Sequence, residues 1–243
     1  MFTKSRMIVA GGLAVLVAGA GVAAAGPTGA ELNDAEVVGK VTPSKLSKKK
    51  LKPVNLFLGV VNSPDSAGNP TGNAKSEKIS LSKNIKVKLN KAPRCTAALP
   101  NGSTPQFARN ACPGKSYLGG GEATVHAPGP VLAAEPVVSV FNGPGPNQLR
   151  LHTYSDDLGA ASPVVNASIV KANKPGYGQA LSVPNAPVTG ALKITSFNAK
   201  IKKSTKTVSA KCKPKKFKFL RDVTYTDNSS ETATEKQTCK VKR

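Results

Sequence analysis

Between Glu122 and Val241 the chain divides into nine runs of five to ten residues, most of them bounded by turn-forming residues. The runs are Glu122–His126, Pro136–Phe141, Gln148–Tyr154, Val164–Val170, Gln179–Val183, Leu192–Ile201, Thr207–Lys211, Phe217–Tyr225 and Thr232–Val241. Turn chemistry separates them at Asn142-Gly143-Pro144-Gly145-Pro146, Lys174-Pro175-Gly176 and Asp227-Asn228-Ser229. Glycine tolerates positive φ, proline presets φ, and Asn or Asp bonds its own backbone, so each cluster reverses the chain. Runs this short are too brief for helices that bury a face, and their β-branched content suits strands. In the run 217–225, Phe217, Phe219, Val223 and Tyr225 share one parity, which predicts a strand with a single buried face. The pattern predicts an all-β fold, an antiparallel β-sandwich.

The earlier part of the chain agrees. Glu36–Val41 is a short strand candidate, and Pro53–Val61 (PVNLFLGVV) is a nearly continuous apolar one. Ile79 and Leu81, then Ile85, Val87 and Leu89, alternate with lysines nearby, which predicts a half-buried strand pair with a lysine-studded outer face. One short helix is expected between Cys95 and Cys112. Thr104 caps it, Pro105 occupies its first position, Gln106–Ala111 continue it, and Cys112-Pro113-Gly114 stops it. Gly119-Gly120-Gly121 reads as a turn between this helix and the next strand. No internal repeat divides residues 36–243, which read as a single β-sandwich domain long enough to bury a core.

The first residues read as an export signal. Lys4 and Arg6 precede the apolar run Met7–Val22, and Ala23 and Ala25 offer the small side chains a signal peptidase requires. Residues 1–25 are therefore expected to be a signal peptide cleaved between Ala25 and Gly26, with 26–35 a flexible leader. No later apolar stretch is long enough to span a bilayer, which predicts a secreted or envelope-associated protein without a transmembrane segment. Four cysteines, an even number, fit an oxidising compartment. Of the three possible pairings, Cys95–Cys112 and Cys212–Cys239 each close a short segment and are the expected bridges. Zinc ligands come as close pairs such as C-x-x-C, and this chain has none, so no metal or cofactor is expected.

Several segments in order resemble a group of uncharacterised secreted actinobacterial proteins that are β-rich and carry two paired-cysteine segments. They are Val41-Thr42-Pro43-Ser44-Lys45-Leu46 with Pro53 beyond it, and Ala92-Pro93-Arg94-Cys95-Thr96 leading to Ala111-Cys112-Pro113. The glycine run before Glu122-Ala123-Thr124, the Phe141-Asn142-Gly143 turn and Ala210-Lys211-Cys212 with Thr238-Cys239-Lys240 complete the pattern. The resemblance implies an exported β-rich domain with these cysteines paired, and it implies no activity. This chain is richer in lysine than the group's usual pattern.

Catalytic motifs are incomplete. Gly114-Lys115-Ser116-Tyr117-Leu118 lacks the second glycine of a nucleophile elbow, and Arg109 stands where a phosphate loop needs glycine. Adjacent Asp156 and Asp157 would point to opposite faces of an extended chain, which suits a solvated turn better than a glycosidase pair. A secreted hydrolase built around His126 or His152 remains the alternative to a non-enzymatic role.

Charge is the strongest functional signal. The chain holds 35 Lys and Arg against 13 Asp and Glu, a net +22. Residues 193–221 carry eleven basic residues and no acid, whereas 110–192 carry four of each sign. A field of this sign attracts polyanions over roughly 8 Å at physiological salt. The sequence predicts association with anionic cell-wall polymers or other polyanions, with Lys211, Lys213, Lys215, Lys216, Lys218 and Arg221 as candidate contacts. Seven Phe, four Tyr and no Trp leave few rings for stacking bases, so nonspecific nucleic-acid binding is the weaker reading.

Overall fold

A strand that is apolar on one face must cover that face, and here one long sheet does so by curling onto itself. The computed structural model describes residues 36–62, 74–127, 132–158, 161–184 and 192–242. The expected signal peptide, the Ala25–Gly26 junction and the leader 26–35 lie outside these residues. In chain order the strands are β1 Glu36–Thr42, β2 Lys45–Leu46, β3 Lys52–Pro53, β4 Asn55–Val61, β5 Ala74–Ser82 and β6 Ile85–Val87. After helix α1, Pro105–Ala111, come β7 Tyr117–His126, β8 Leu132–Ala134, β9 Val137–Asn142, β10 Gln148–Tyr154, β11 Val164–Lys171 and β12 Tyr177–Pro184. The last are β13 Lys193–Ile201, β14 Val208–Ala210, β15 Lys216–Tyr225, β16 Ser230–Thr238 and β17 Lys240–Val241.

The fold is all-β and its main sheet is antiparallel, as expected. Its main sheet runs β1-β4-β13-β7-β9-β10-β11-β12-β5-β15-β16, with β8 attached to β7. The two edges come together, β1 lying beside β15 and β16, so the sandwich's layers belong to one nearly closed barrel. Gln237 stitches the seam. Its Oε1 accepts from Val41 N at 2.7 Å and its Nε2 donates to Val41 O at 3.1 Å, replacing a ladder the two strands do not share. Close approach also needs Gly39, where an added Cβ would lie 2.2 Å from the Phe219 ring. The interior holds Phe217, Phe219, Leu56, Leu81 and Leu118, all buried.

Both expected disulfides are present, Cys95–Cys112 and Cys212–Cys239. Helix α1 lies between the first pair, and Thr104 Oγ1 accepts from Phe107 N at 3.1 Å as the cap. The segment carrying it packs outside β9 and β10, around Phe141, Cys95, Ala108 and Cys112. Buried Asn142 anchors its start, with Nδ2 in reach of the carbonyls of Leu89, Ala92 and Pro93.

Two expectations are corrected. β5 and β6 do not pair: β5 lies between β12 and β15, and β6 joins β3 and β14 in a separate three-stranded sheet. Buried Asn84 turns the chain away, its Nδ2 bonding the carbonyls of Lys211, Pro214 and Lys216 while Ser82 Oγ donates to its Oδ1. Leu89 falls in a short 3₁₀ turn. Second, Gly119-Gly120-Gly121 lies inside β7 and is no turn. A Cβ at Gly119 would sit 1.8 Å from Lys200 O, and one at Gly121 1.9 Å from Asn198 O, so glycine is what lets β13 lie this close.

Gln237→Ala removes two hydrogen bonds worth about 1–2 kcal/mol together. For a chain of this size the melting temperature should fall by about 2–8 °C. Bridges closing separations of 17 and 27 residues contribute about 3 and 3.5 kcal/mol in the chain-entropy model. Reduction should therefore lower the midpoint by more than about 10 °C. Circular-dichroism melts check both; a Gln237→Ala variant melting with the wild type would show that the seam holds without it.

Candidate functional site

Antiparallel order sends the strand termini to two opposite ends of the barrel. Pairings such as Tyr177 with Ser82, Lys216 with Thr238, Leu149 with Asn142 and Thr42 with Asn55 mark one end. Glu36 with Val61, Tyr154 with Val137 and Thr224 with Ser230 mark the other. Four lysine-rich segments meet at the first end: 45–52 with five lysines, 83–91 with four, 202–218 with eight and 236–242 with three, and none of them contains an acid.

Specific backbone contacts bring these segments together. β14 pairs with β3 on one side and β6 on the other, and β17 pairs in parallel with β2. Cys212 N donates to Ser47 O, Lys211 N to Asn84 O, Lys88 N to Thr207 O and Lys240 N to Ser44 O. The Cys212–Cys239 bridge ties the last two segments. Of the sequence candidates, Lys213, Lys215, Lys216 and Lys218 are exposed here and Lys211 is half-buried. The sequence missed their spatial neighbours Lys48, Lys49, Lys50, Lys83 and Lys88, all exposed. The run at 48–50 was visible, but its proximity to 211–218 depends on pairings that alternation does not encode. None of these lysines has an ion-pair partner among the described residues. The described carboxylates lie from mid-barrel to the far end, with Glu235, opposite Phe219, among the closest to the lysines.

Arg221 is not part of this surface, which corrects the sequence reading. It is 0% exposed and shares the inward parity of Phe217, Phe219, Val223 and Tyr225. Its Nε donates to Glu77 Oε1 at 2.9 Å, Nη1 to Val61 O at 2.7 Å and Nη2 to Asn62 Oδ1. A buried guanidinium persists only when paired in this way.

A groove of about 680 Å³ runs from the lysine end along the outer faces of β13, β7 and β9. Lys200, Lys202, Lys203 and Arg109 line it, with Gly120 and Gly121 in its wall. Two cations lie over the Tyr117 ring, Arg109 at 4.6 Å and Lys202 at 5.3 Å from its centre. An extended anion lying along this groove would meet these four cationic groups, with Glu122 as the acid in the same wall.

The histidines are placed differently. His126 is half-buried near the far end, and its Nδ1 has no partner among the described residues. His152 is 0% exposed, with Nε2 3.0 Å from Ser103 Oγ, while Ser162 Oγ lies 3.5 Å from the same hydroxyl. This serine–histidine contact has nucleophile–base geometry. Yet all three side chains are buried, and among the described residues Nδ1 of His152 lacks the carboxylate that would orient it. The contact pins the 100–104 segment to β10, and burial pushes the imidazole below its ordinary value of 6.5. Asp156 and Asp157 are exposed in a turn, where Asp156 accepts from the Tyr154 hydroxyl and raises its pKa. Among the described residues, no group of three or more His, Cys, Asp or Glu is placed to hold a metal ion.

His152 makes stability depend on pH in a fixed direction. Unfolded, the imidazole takes up a proton below about pH 6.5; folded, it resists until a lower pH. Stability should therefore fall as pH drops through that window, by at most about 1.4 kcal/mol per pH unit from this group. Urea titrations from pH 7.5 to 5 should show a shallower decline for His152→Gln than for the wild type. Arg221→Gln leaves Glu77 without its partner and should destabilise by about 3–5 kcal/mol, measured by the same titration.

No protein-family model, curated protein or solved structure matches this chain.

Proposed function

We propose that this is an exported, non-enzymatic protein that associates with the anionic cell envelope through its lysine-rich end. The supporting observation is charge separation: segments distant in sequence bring acid-free lysine stretches to one end, while the described carboxylates lie from mid-barrel to the other. Lysines used only for solubility would be interspersed with acids over the surface. Two disulfides and the signal-like first 25 residues support export. The partner is an extended polyanion, an anionic wall polymer in the first instance. A lysine side chain acts as a point charge without the planar fork of arginine, so it suits a flexible phosphate-bearing chain better than a fixed planar group.

The Ser103–His152 contact favours a second reading, a secreted hydrolase. Turnover of an ester or polysaccharide panel that disappears in His152→Ala would replace the first reading with this one.

Co-sedimentation with purified cell walls over a salt series tests the envelope reading. Counterion release makes such binding weaken steeply as salt rises. Replacing Lys213, Lys215, Lys216 and Lys218 with Gln should weaken binding at least about tenfold at physiological salt without lowering the melting temperature. Replacing Lys48, Lys49 and Lys50 should have a comparable effect, because they belong to the same surface. Lys75→Gln with Lys78→Gln, near the other end, should have little effect. Full binding by both lysine-end variants would overturn the proposal.

A further inference from the structure

At the end opposite the lysines the described residues leave the barrel interior incompletely filled. There, a cavity of about 350 Å³ is lined by Val60, Ala123, Leu151, Val165, Val183 and Phe197, among others. These side chains project inward from β4, β7, β10, β11, β12 and β13, so the cavity belongs to the barrel and not to a single loop. At the lysine end the same interior is packed by Phe217, Phe219 and Leu81. Val165, Val183 and Phe197 are only half-buried, so solvent reaches the space. A largely apolar cavity holds water poorly and is filled by an apolar molecule of matching size.

We infer that this cavity is a binding site for a small, uncharged apolar molecule carrying a hydroxyl or other hydrogen-bond donor. Size follows from volume: a 150 Å³ apolar cavity accepts a benzene ring, so this one suits about ten to fourteen carbon atoms. Absence of charge follows from the polar groups at the wall, where Arg221 already neutralises Glu77 and leaves a cation no net charge to meet. Asn62 and Glu77 line the cavity, whereas Arg221 does not. All three nitrogens of the guanidinium are already bonded, to Glu77, Val61 O and Asn62. A carboxylate entering the cavity would meet Glu77 rather than an available cation. Glu77 Oε1 accepts from Arg221, and Oε2 has no partner among the described residues, leaving it to accept from a ligand hydroxyl. Thr153 and Ser196, also in the wall, are already bonded, to Pro163 O and Thr124 Oγ1. The site thus has a free carboxylate oxygen in a mostly apolar wall, and it is separate from the polyanion surface.

N-phenyl-1-naphthylamine, a neutral apolar fluorophore with one N–H donor, probes the site directly. The oxidised protein should bind it saturably, and 1-decanol should displace it at least about tenfold better than decanoate at pH 7.5. Ala123→Phe and Val165→Phe fill the cavity from different strands. Each should weaken probe binding about tenfold or more while melting no lower than the wild type. The variant lacking the lysines at 213, 215, 216 and 218 should bind the probe normally, which separates this site from the envelope surface. Absence of saturable binding, undiminished binding by both filled variants that remain folded, or preference for decanoate would overturn the inference.

Discussion

An open antiparallel sheet leaves a row of unpaired N–H and C=O groups at each edge, and eleven strands in one path would leave two such edges far apart. Here the path bends until β1 lies beside β16, and the Gln237 amide supplies both a donor and an acceptor to Val41. Closure gives the molecule an inside, an outside and two ends. Phe219 can then lie over Gly39, and the alternating residues of β15 can bury Phe217, Phe219 and Tyr225 together. Even the buried Arg221 depends on it, because its acceptors come from β4 and β5, strands far apart along the sheet path.

Bringing so many lysines together has an electrostatic cost, since like charges repel and little acid offsets them locally. The backbone beneath them is correspondingly tied down. Asn84 holds three carbonyls of the 211–216 segment, Cys212–Cys239 joins that segment to the last strand, and two small sheets fix 45–53 and 85–87 against it. These restraints stabilise an arrangement that charge alone would disperse. The described carboxylates lie from mid-barrel to the opposite end, where the described residues leave the cavity. One barrel thus presents two chemically distinct ends, a cationic surface and an apolar chamber.

Strand existence was legible in the sequence because alternation, β-branching and turn residues report local burial. Gln148–Tyr154 matches its strand residue for residue, and the Thr104 cap and both disulfides are found as expected. Partnership was less legible. Alternation assigns faces, and nothing in it says that β5 avoids β6 or that β13 lies between β4 and β7. The glycine run looked like a turn because glycine serves both loose turns and close backbone approach, and only the neighbouring carbonyls distinguish them. For Arg221 the signal was present: it shares the parity of four buried aromatic and aliphatic residues, yet its charge placed it among the surface lysines. Ser103 beside His152 had no sequence signal, since the two are 49 residues apart.

A lysine-acetylation footprint, taken with and without a purified anionic wall polymer, is the most direct test of the charge-separated barrel. The polymer should protect lysines in 45–52, 83–91, 202–218 and 236–242 together, while Lys75 and Lys78 stay as reactive as in the free protein. Protection spread evenly over the surface, or confined to a single stretch of sequence, would contradict it.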